Sequence, residues 1–232
     1  MKHIYKDLFF DLDGTLWDLH GNSHKTLSEL WPRFNLNKDN HLDFDHFYRR
    51  YRHHNERVWA LYRDGKIEKK NLRIERFERA FADIGLNFES WMQEFADSFM
   101  DLCPRQPGLI EGALEVLDHV SKKYRLHIIT NGFSEVQGIK MQSSGLDGRF
   151  TEIINSEDCG IRKPHRGIFT HALERSGASV ESSLMIGDDW DADILGARDF
   201  GMHQAWLRSD QSRHNFTPTY TLESLRDLLH IL

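Results

Sequence analysis

Apolar positions change their period twice along the chain. From Ile4 to Phe10 apolar and aromatic residues dominate a stretch short enough for a buried strand. From about Asn22 to Met100 they recur at helical spacing, and no segment there reads as a convincing strand. Asp43 or Asp45 can cap a long helix that runs to Tyr62 and is closed by Gly65. Leu72, Phe77, Phe81 and Ile84 mark a second helix ended by Gly85, and Phe88, Met92, Phe95 and Phe99 a third. Pro104 to Gly112 breaks this pattern and reads as a return linker.

Beyond the linker the period alternates. Ala113, Leu114, Leu117 and Val120 form one helix face, and Leu126–Ile129 is a strand ending in Thr130-Asn131-Gly132. Ser134 and Gln137 fit a capping box at the start of the next helix. Ile153-Ile154 is a further strand, and Gly160-Ile161-Arg162-Lys163-Pro164 leads into a helix with Ile168, Phe169, Ala172 and Leu173. Leu184-Met185-Ile186 is a strand ending in Gly187-Asp188-Asp189, followed by a helix with Ile194, Leu195 and Ala197 that Gly201 closes. Gln204–Leu207 is expected as the last strand and Leu222–Leu229 as a terminal helix. Strand–helix alternation predicts an α/β fold, a doubly wound parallel sheet covered on both faces. The expected division is residues 1–17 with 104–232 as the sheet domain and 18–103 as an inserted helical domain.

Composition narrows the partners. The net charge of -6 and pI near 6.1 argue against a general nucleic-acid or membrane-surface binder. Tyr48-Arg49-Arg50-Tyr51-Arg52-His53-His54 interleaves bases with aromatics, but a helix with rings inward and arginines in water explains it better; part of that face can also line a substrate pocket. Cys103 and Cys159 stand far apart outside any CxxC pattern, which suits a reducing compartment. With no apolar signal segment and no run of membrane-spanning length, a cytoplasmic protein is expected, monomeric or a weak homodimer.

Chemistry concentrates where strands end. Phe9-Phe10-Asp11-Leu12-Asp13-Gly14-Thr15-Leu16 closes an apolar run with two carboxylates. Residues i and i+2 of a strand share a face, so Asp11 and Asp13 can point at one spot, where a cation or a proton must relieve their repulsion. Asp11, Thr130 and Asp188 each fall at a strand's carboxyl end, the edge at which open α/β sheets bind ligands, and Lys163 lies on a loop able to reach it. Taken singly, Lys163 reads as a solvated loop cation, Thr130-Asn131-Gly132 as a helix cap, and Asp188-Asp189 as favourable charge at a helix start. Taken together they supply hard oxygen ligands suited to Mg2+, a point cation for phosphate, and donors at a helix N-terminus.

The chain resembles the haloacid dehalogenase (HAD) superfamily phosphatases over nearly its whole length. The motifs are Asp11-Leu12-Asp13-Gly14-Thr15, Thr130-Asn131-Gly132, Lys163-Pro164, and Gly187-Asp188-Asp189 with Asp193 beyond; the helical insert matches the helical cap subclass. The resemblance implies that Asp11 attacks phosphorus and carries an aspartyl phosphate, and that Asp13 protonates the leaving alkoxide and then deprotonates water. It implies Mg2+ held by the Asp11 and Asp188 carboxylates and the Asp13 carbonyl, phosphate bound by Thr130, Asn131 and Lys163, and Asp193 orienting metal waters or Lys163. Asp189 departs from the Ser or Thr of many relatives and is assigned no metal contact. A dehalogenase is disfavoured because those relatives usually lack an acid at the position of Asp13. Ile129–Phe133, Ser156–Gly160 and Asp193–Ala197 look like the pyrimidine 5'-nucleotidase branch. Nucleoside monophosphates are therefore the expected substrates, small phosphorylated metabolites in any case. Tyr48, Tyr51, Trp59 and Tyr62 can stack on a base or form the cap's own core. The alternatives are a sugar-phosphate phosphatase, a β-phosphoglucomutase-like phosphotransferase, or a phosphate-binding regulatory module without catalysis.

Overall fold

The computed structural model describes residues 5–38, 42–86, 90–207 and 216–232. Ile4 and Phe88, expected in a strand and a helix, lie outside them. The chain divides into two compact units, Met1–Leu19 with Pro107–Leu232, and His20–Gln106.

The first unit carries a six-stranded parallel sheet: β1 (Asp7–Phe10), β2 (Arg125–Thr130), β3 (Glu152–Asn155), β4 (Ser183–Gly187), β5 (His203–Leu207) and β6 (Tyr220–Leu222). Their order is β3-β2-β1-β4-β5-β6. The order reverses at β1, so the ends of β2, β1 and β4 lie side by side at the switch point where such sheets open a crevice. Leu8, Phe9 and Phe10 are fully buried, as expected of a central strand covered on both faces. Asp7, also buried, begins β1 and accepts from His127 Nε2 at 3.0 Å, with Arg125 2.8 Å away.

The second unit holds α1 (Leu19–Arg33, whose first residue belongs to the sheet unit), α2 (Phe44–Arg63), α3 (Lys69–Asp83) and α4 (Met92–Leu102). Asp43 caps α2 by accepting from the Asp45 amide at 2.9 Å. Gly65 and Gly85 follow α2 and α3 with positive φ, as the sequence predicts. The rings face inward: Phe47 stacks on Phe81 at 4.4 Å and Tyr51 on Phe77 at 5.2 Å. Arg49 and Arg52 are exposed, while Arg50 and His54 pair with Asp83.

The chain enters and leaves the helices through one crossing of the sheet unit. Trp17 bridges Leu109 in antiparallel fashion, Asp18 N donates to Gly108 O at 3.1 Å, and Ile110 N donates to Leu16 O at 2.9 Å. After it come α5 (Ala113–Val120), α6 (Ser134–Ser143), α7 (Ser156–Cys159), α8 (Arg166–Ser176), a π-helical turn (Trp190–Leu195), α9 (Gly196–Phe200) and α10 (Leu228–Ile231).

Three expectations shift. The buried face of α5 is Ala113, Val116, Leu117 and Val120, and Leu114 is 39% exposed; the i, i+3, i+4, i+7 set lies one position away from it. The carboxyl-terminal stretch is not one helix. Tyr220–Leu222 pairs with β5, so β5 is not the last strand, and Ser224 with Asp227 forms a capping box only after it. The helix after β4 opens as a π-helical turn rather than a regular helix.

Candidate active site

The chain leaves the sheet as soon as β1 ends. Asp11 N still donates to Ile186 O at 2.9 Å, but Leu16 N and Trp17 N then turn back onto Leu12 O, and Gly14 N onto Trp17 O. Asp11 and Asp13 therefore do not share the face of a strand; Asp13 already lies in a tight loop that closes on Trp17. Gly14 has φ +91, and a Cβ there would fall 2.4 Å from Asp188 Oδ2. Thr15 Oγ1 donates to Asp188 Oδ1 at 2.7 Å. Gly14 and Thr15 thus admit and fasten a carboxylate that lies far along the sequence.

Lys163 is the centre of the arrangement, only 2% exposed. Its Nζ lies 2.5 Å from Asp11 Oδ1 and 2.7 Å from Ile129 O, and 2.7 Å from Asp193 Oδ1 as an ion pair outside hydrogen-bond alignment. Its backbone is gripped by one side chain: Asn131 Nδ2 donates to Lys163 O at 3.0 Å, and Lys163 N donates to Asn131 Oδ1 at 2.8 Å. The Asn131 amide group is thus committed to the loop, which leaves its backbone N–H as the group to face an anion. Burial opposes the charge on Lys163, but Asp11 and Asp193 outweigh it and hold the ammonium above its ordinary range.

Asp11, Asp188 and Asp193 offer oxygens within 4.8 Å of one another. Burial raises Asp11, with Lys163 opposing and Asp13 reinforcing. Burial and then the Asp11 charge push Asp188 up to about 7, and burial raises Asp193 well above its usual value. Three carboxylates around one ammonium leave an excess of negative charge, and an all-oxygen donor set of that charge fits a hard divalent cation. Asp193 is committed to Lys163 and, through Oδ2, accepts from Asp189 N at 3.2 Å. A Cβ on Gly187 would come within 2.2 Å of that Oδ2. Asp189 accepts from Asp191 N and Ala192 N at 3.0 and 2.9 Å and so begins the turn after β4.

Thr130 is buried at the end of β2, where Oγ1 accepts from Gly132 N at 3.1 Å and Gln137 Nε2 at 2.6 Å. With both lone pairs used, its proton points elsewhere, and among the described residues it has no acceptor. A buried donor of this kind is suited to an incoming anion. Asp13 is gripped by two groups that the sequence reading did not place here. Gln137 Nε2 donates to Oδ2 at 2.8 Å and Lys140 Nζ to Oδ1 at 2.6 Å. The expected capping box is absent: Ser134 N is satisfied by Glu157 Oε2 at 2.9 Å, and Gln137 turns into the site. The available signal was phase, since Gln137 and Lys140 are buried on α6 beside Val136 and Met141.

Known proteins resemble this chain along nearly its whole length. The chain is 29% identical to the pyrimidine 5'-nucleotidase YjjG of Escherichia coli, over 97% of its own length and 96% of that protein's. It is also 29% identical to the pyrimidine 5'-nucleotidase PynA of Streptococcus pneumoniae, over 99% and 95%. A crystal structure of YfnB from Bacillus subtilis bound to magnesium, in which interdomain movement is seen, superposes with a TM-score of 0.87 at 28% identity, covering 98% of each chain. Residues 5–201 match one family description throughout, and the chain belongs to the haloacid dehalogenase-like hydrolases.

Proposed function

We propose that this hydrolase is a Mg2+-dependent phosphomonoesterase working through an aspartyl phosphate on Asp11, with nucleoside 5'-monophosphates as its substrate class. The observation that carries the reading is the buried Lys163 ammonium, 2.5 Å from Asp11 Oδ1 at the edge of an acidic cluster. Asp11 and Asp188, with the Asp13 carbonyl, would hold the cation, which when bound offsets the charge of the phosphate oxygens. Relatives named as pyrimidine 5'-nucleotidases and a related structure bound to magnesium support the substrate class and the metal.

The chain's own groups divide the work. Lys163, the Thr130 hydroxyl and the backbone N–H of Asn131 bind phosphate oxygens. The Asp11 carboxylate attacks phosphorus as the ester P–O bond breaks, and the Asp13 carboxyl proton passes to the departing oxygen. A water oxygen then bonds to phosphorus, its proton returns to Asp13, and the Asp11–phosphorus bond breaks to release phosphate. In the helical unit Tyr51 and Tyr62 are only 3% and 4% exposed, while Tyr48 and Trp59 are half-buried.

The test is a panel of nucleoside monophosphates and sugar phosphates with Mg2+ or with chelator. Nucleotides are expected to be cleaved faster than sugar phosphates, and only with the metal. Asp11→Asn should remove the nucleophile and lower turnover by about 10^4-fold or more while the protein stays folded. Metal-independent turnover, or an active Asp11→Asn protein, would refute the mechanism; preference for sugar phosphates would refute the substrate class alone.

A further inference from the structure

We propose that Gln137 and Lys140 are positioning residues of the reaction, holding the Asp13 carboxylate in line for proton transfer and tying its orientation to the phosphate seat at Thr130. The inference rests on the reading of Asp13 as the proton-transfer group.

Asp13 sits in the loop after β1, its side chain 21% exposed. A carboxylate that open can turn freely unless its plane is fixed. Here each oxygen accepts from a different donor, Oδ2 from Gln137 and Oδ1 from Lys140, and two contacts fix a plane where one would leave it free. The donors stand three residues apart, on one face of α6.

Gln137 spends both N–H groups on the site, one on Asp13 and one on Thr130 Oγ1 at 2.6 Å. Its Oε1 is left buried without a partner, a costly arrangement that packing alone would not favour. The chain also makes room for it: a Cβ on Gly132 would lie 2.0 Å from Gln137 Nε2. Gly14 and Gly187 make the same allowance for Asp188 and Asp193. Gln137 therefore belongs with those site carboxylates, not with the cap of a helix.

Lys140 is only 8% exposed. Its ammonium lies 4.6 Å from the centre of the Trp17 ring, so it is confined between that face and Asp13. Trp17 in turn closes the Asp13 loop, since its carbonyl accepts from Gly14 N at 2.9 Å. Loop, acid and α6 are thus fastened at three points. Proton transfer depends steeply on alignment, and a carboxyl group that wobbles delivers its proton poorly to a departing alkoxide.

The distinguishing measurement is dependence on the leaving group. A nitrophenolate departs without a proton, whereas the alkoxide of a nucleotide needs one. Lys140→Met should lower kcat/KM for a nucleoside 5'-monophosphate by about 100-fold and for p-nitrophenyl phosphate by about fivefold or less. Lys140→Arg should recover part of the loss. Gln137→Met should show the same selectivity and also weaken inhibition by inorganic phosphate, because Thr130 loses its anchor. Asp13→Asn combined with Lys140→Met should be no slower on the nucleotide than Asp13→Asn alone. Should Lys140→Met fail to fold, Gln137→Met and Lys140→Arg carry the comparison. Equal losses on both esters in folded variants, or additive losses in the double variant, overturn the proposal. A wild-type protein that hydrolyses no phosphomonoester overturns the underlying reading instead.

Discussion

The most deeply buried cations of the two units, among the described residues, keep opposite company. In the sheet unit Lys163 lies among carboxylates, with Asp11 and Asp193 at 2.5 and 2.7 Å. In the helical unit Arg76, 5% exposed, lies 4.9 Å from the Phe77 ring centre and 5.1 Å from that of Phe99. Its hydrogen bonds run to neutral acceptors, Asn55 Oδ1 at 2.9 Å and Met100 Sδ at 3.2 Å. Ion pairing among more acids than bases leaves charge for a ligand to satisfy. Rings and neutral acceptors spread the guanidinium's charge over apolar faces instead, with its Nε buried and without a hydrogen-bond partner among the described residues. What surrounds a buried charge, more than the burial itself, separates chemistry from scaffold.

The sharpest way to break this contrast is to remove the cations in turn. Lys163→Met should cost about 3–5 kcal/mol, because it strands buried carboxylates, and should abolish turnover. The next effect in size belongs to the metal. The folded-state value of Asp188, pushed to about 7, exceeds its unfolded value, so its contribution to stability is complete at low pH and is lost as pH rises through 7. A divalent cation bound at this cluster would take the place of that proton. Saturating Mg2+ should add about 2–3 kcal/mol at pH 8 and far less at pH 5, read as the difference in thermal unfolding between Mg2+ and chelator. Equal shifts at both pH values would show that protons and metal do not compete at this cluster.

Arg76→Met should cost about 1–2 kcal/mol in thermal denaturation. A loss as large as that of Lys163→Met would erase the distinction between the two cations. The smallest effect lies at the opposite end of the sheet. Burial holds His127 below its ordinary range despite Asp7, so the unfolded chain takes up a proton near pH 6.5 that the folded protein refuses. Stability should fall as pH drops through that range, and His127→Gln should flatten the slope by about 1 kcal/mol or less. An unchanged slope would assign the acid sensitivity to other groups.

Three of the four motifs were legible because each interrupts an apolar run at a strand's end: Phe10 before Asp11, Ile129 before Thr130, Ile186 before Gly187. Burial demands such runs, and the polar residue that stops one stands at the sheet's rim. The hidden part was of a different kind. Gln137 already satisfied a local rule as the fourth residue of a capping box, so nothing in its neighbourhood called for a partner 124 residues away. Lys140 and Arg76 carried no signal of their own in the motifs, and only their phase beside buried apolar neighbours on α6 and α3 marks them as inward-facing. The face-sharing rule for Asp11 and Asp13 failed because β1 stops at Phe10, and a loop closed on Trp17 takes over. Tyr220 escaped because a three-residue edge strand is too short to establish alternation.

The antiparallel crossing of Leu16–Asp18 with Gly108–Ile110 makes the helical unit a cassette. Both cuts needed to excise it fall side by side at the mouth of a hairpin, and a two- or three-residue turn would reseal the polypeptide without touching a strand. Exchange of one insert for another at that mouth need not alter the sheet, its strand order or its rim, so the two units can vary in sequence and length along separate lines.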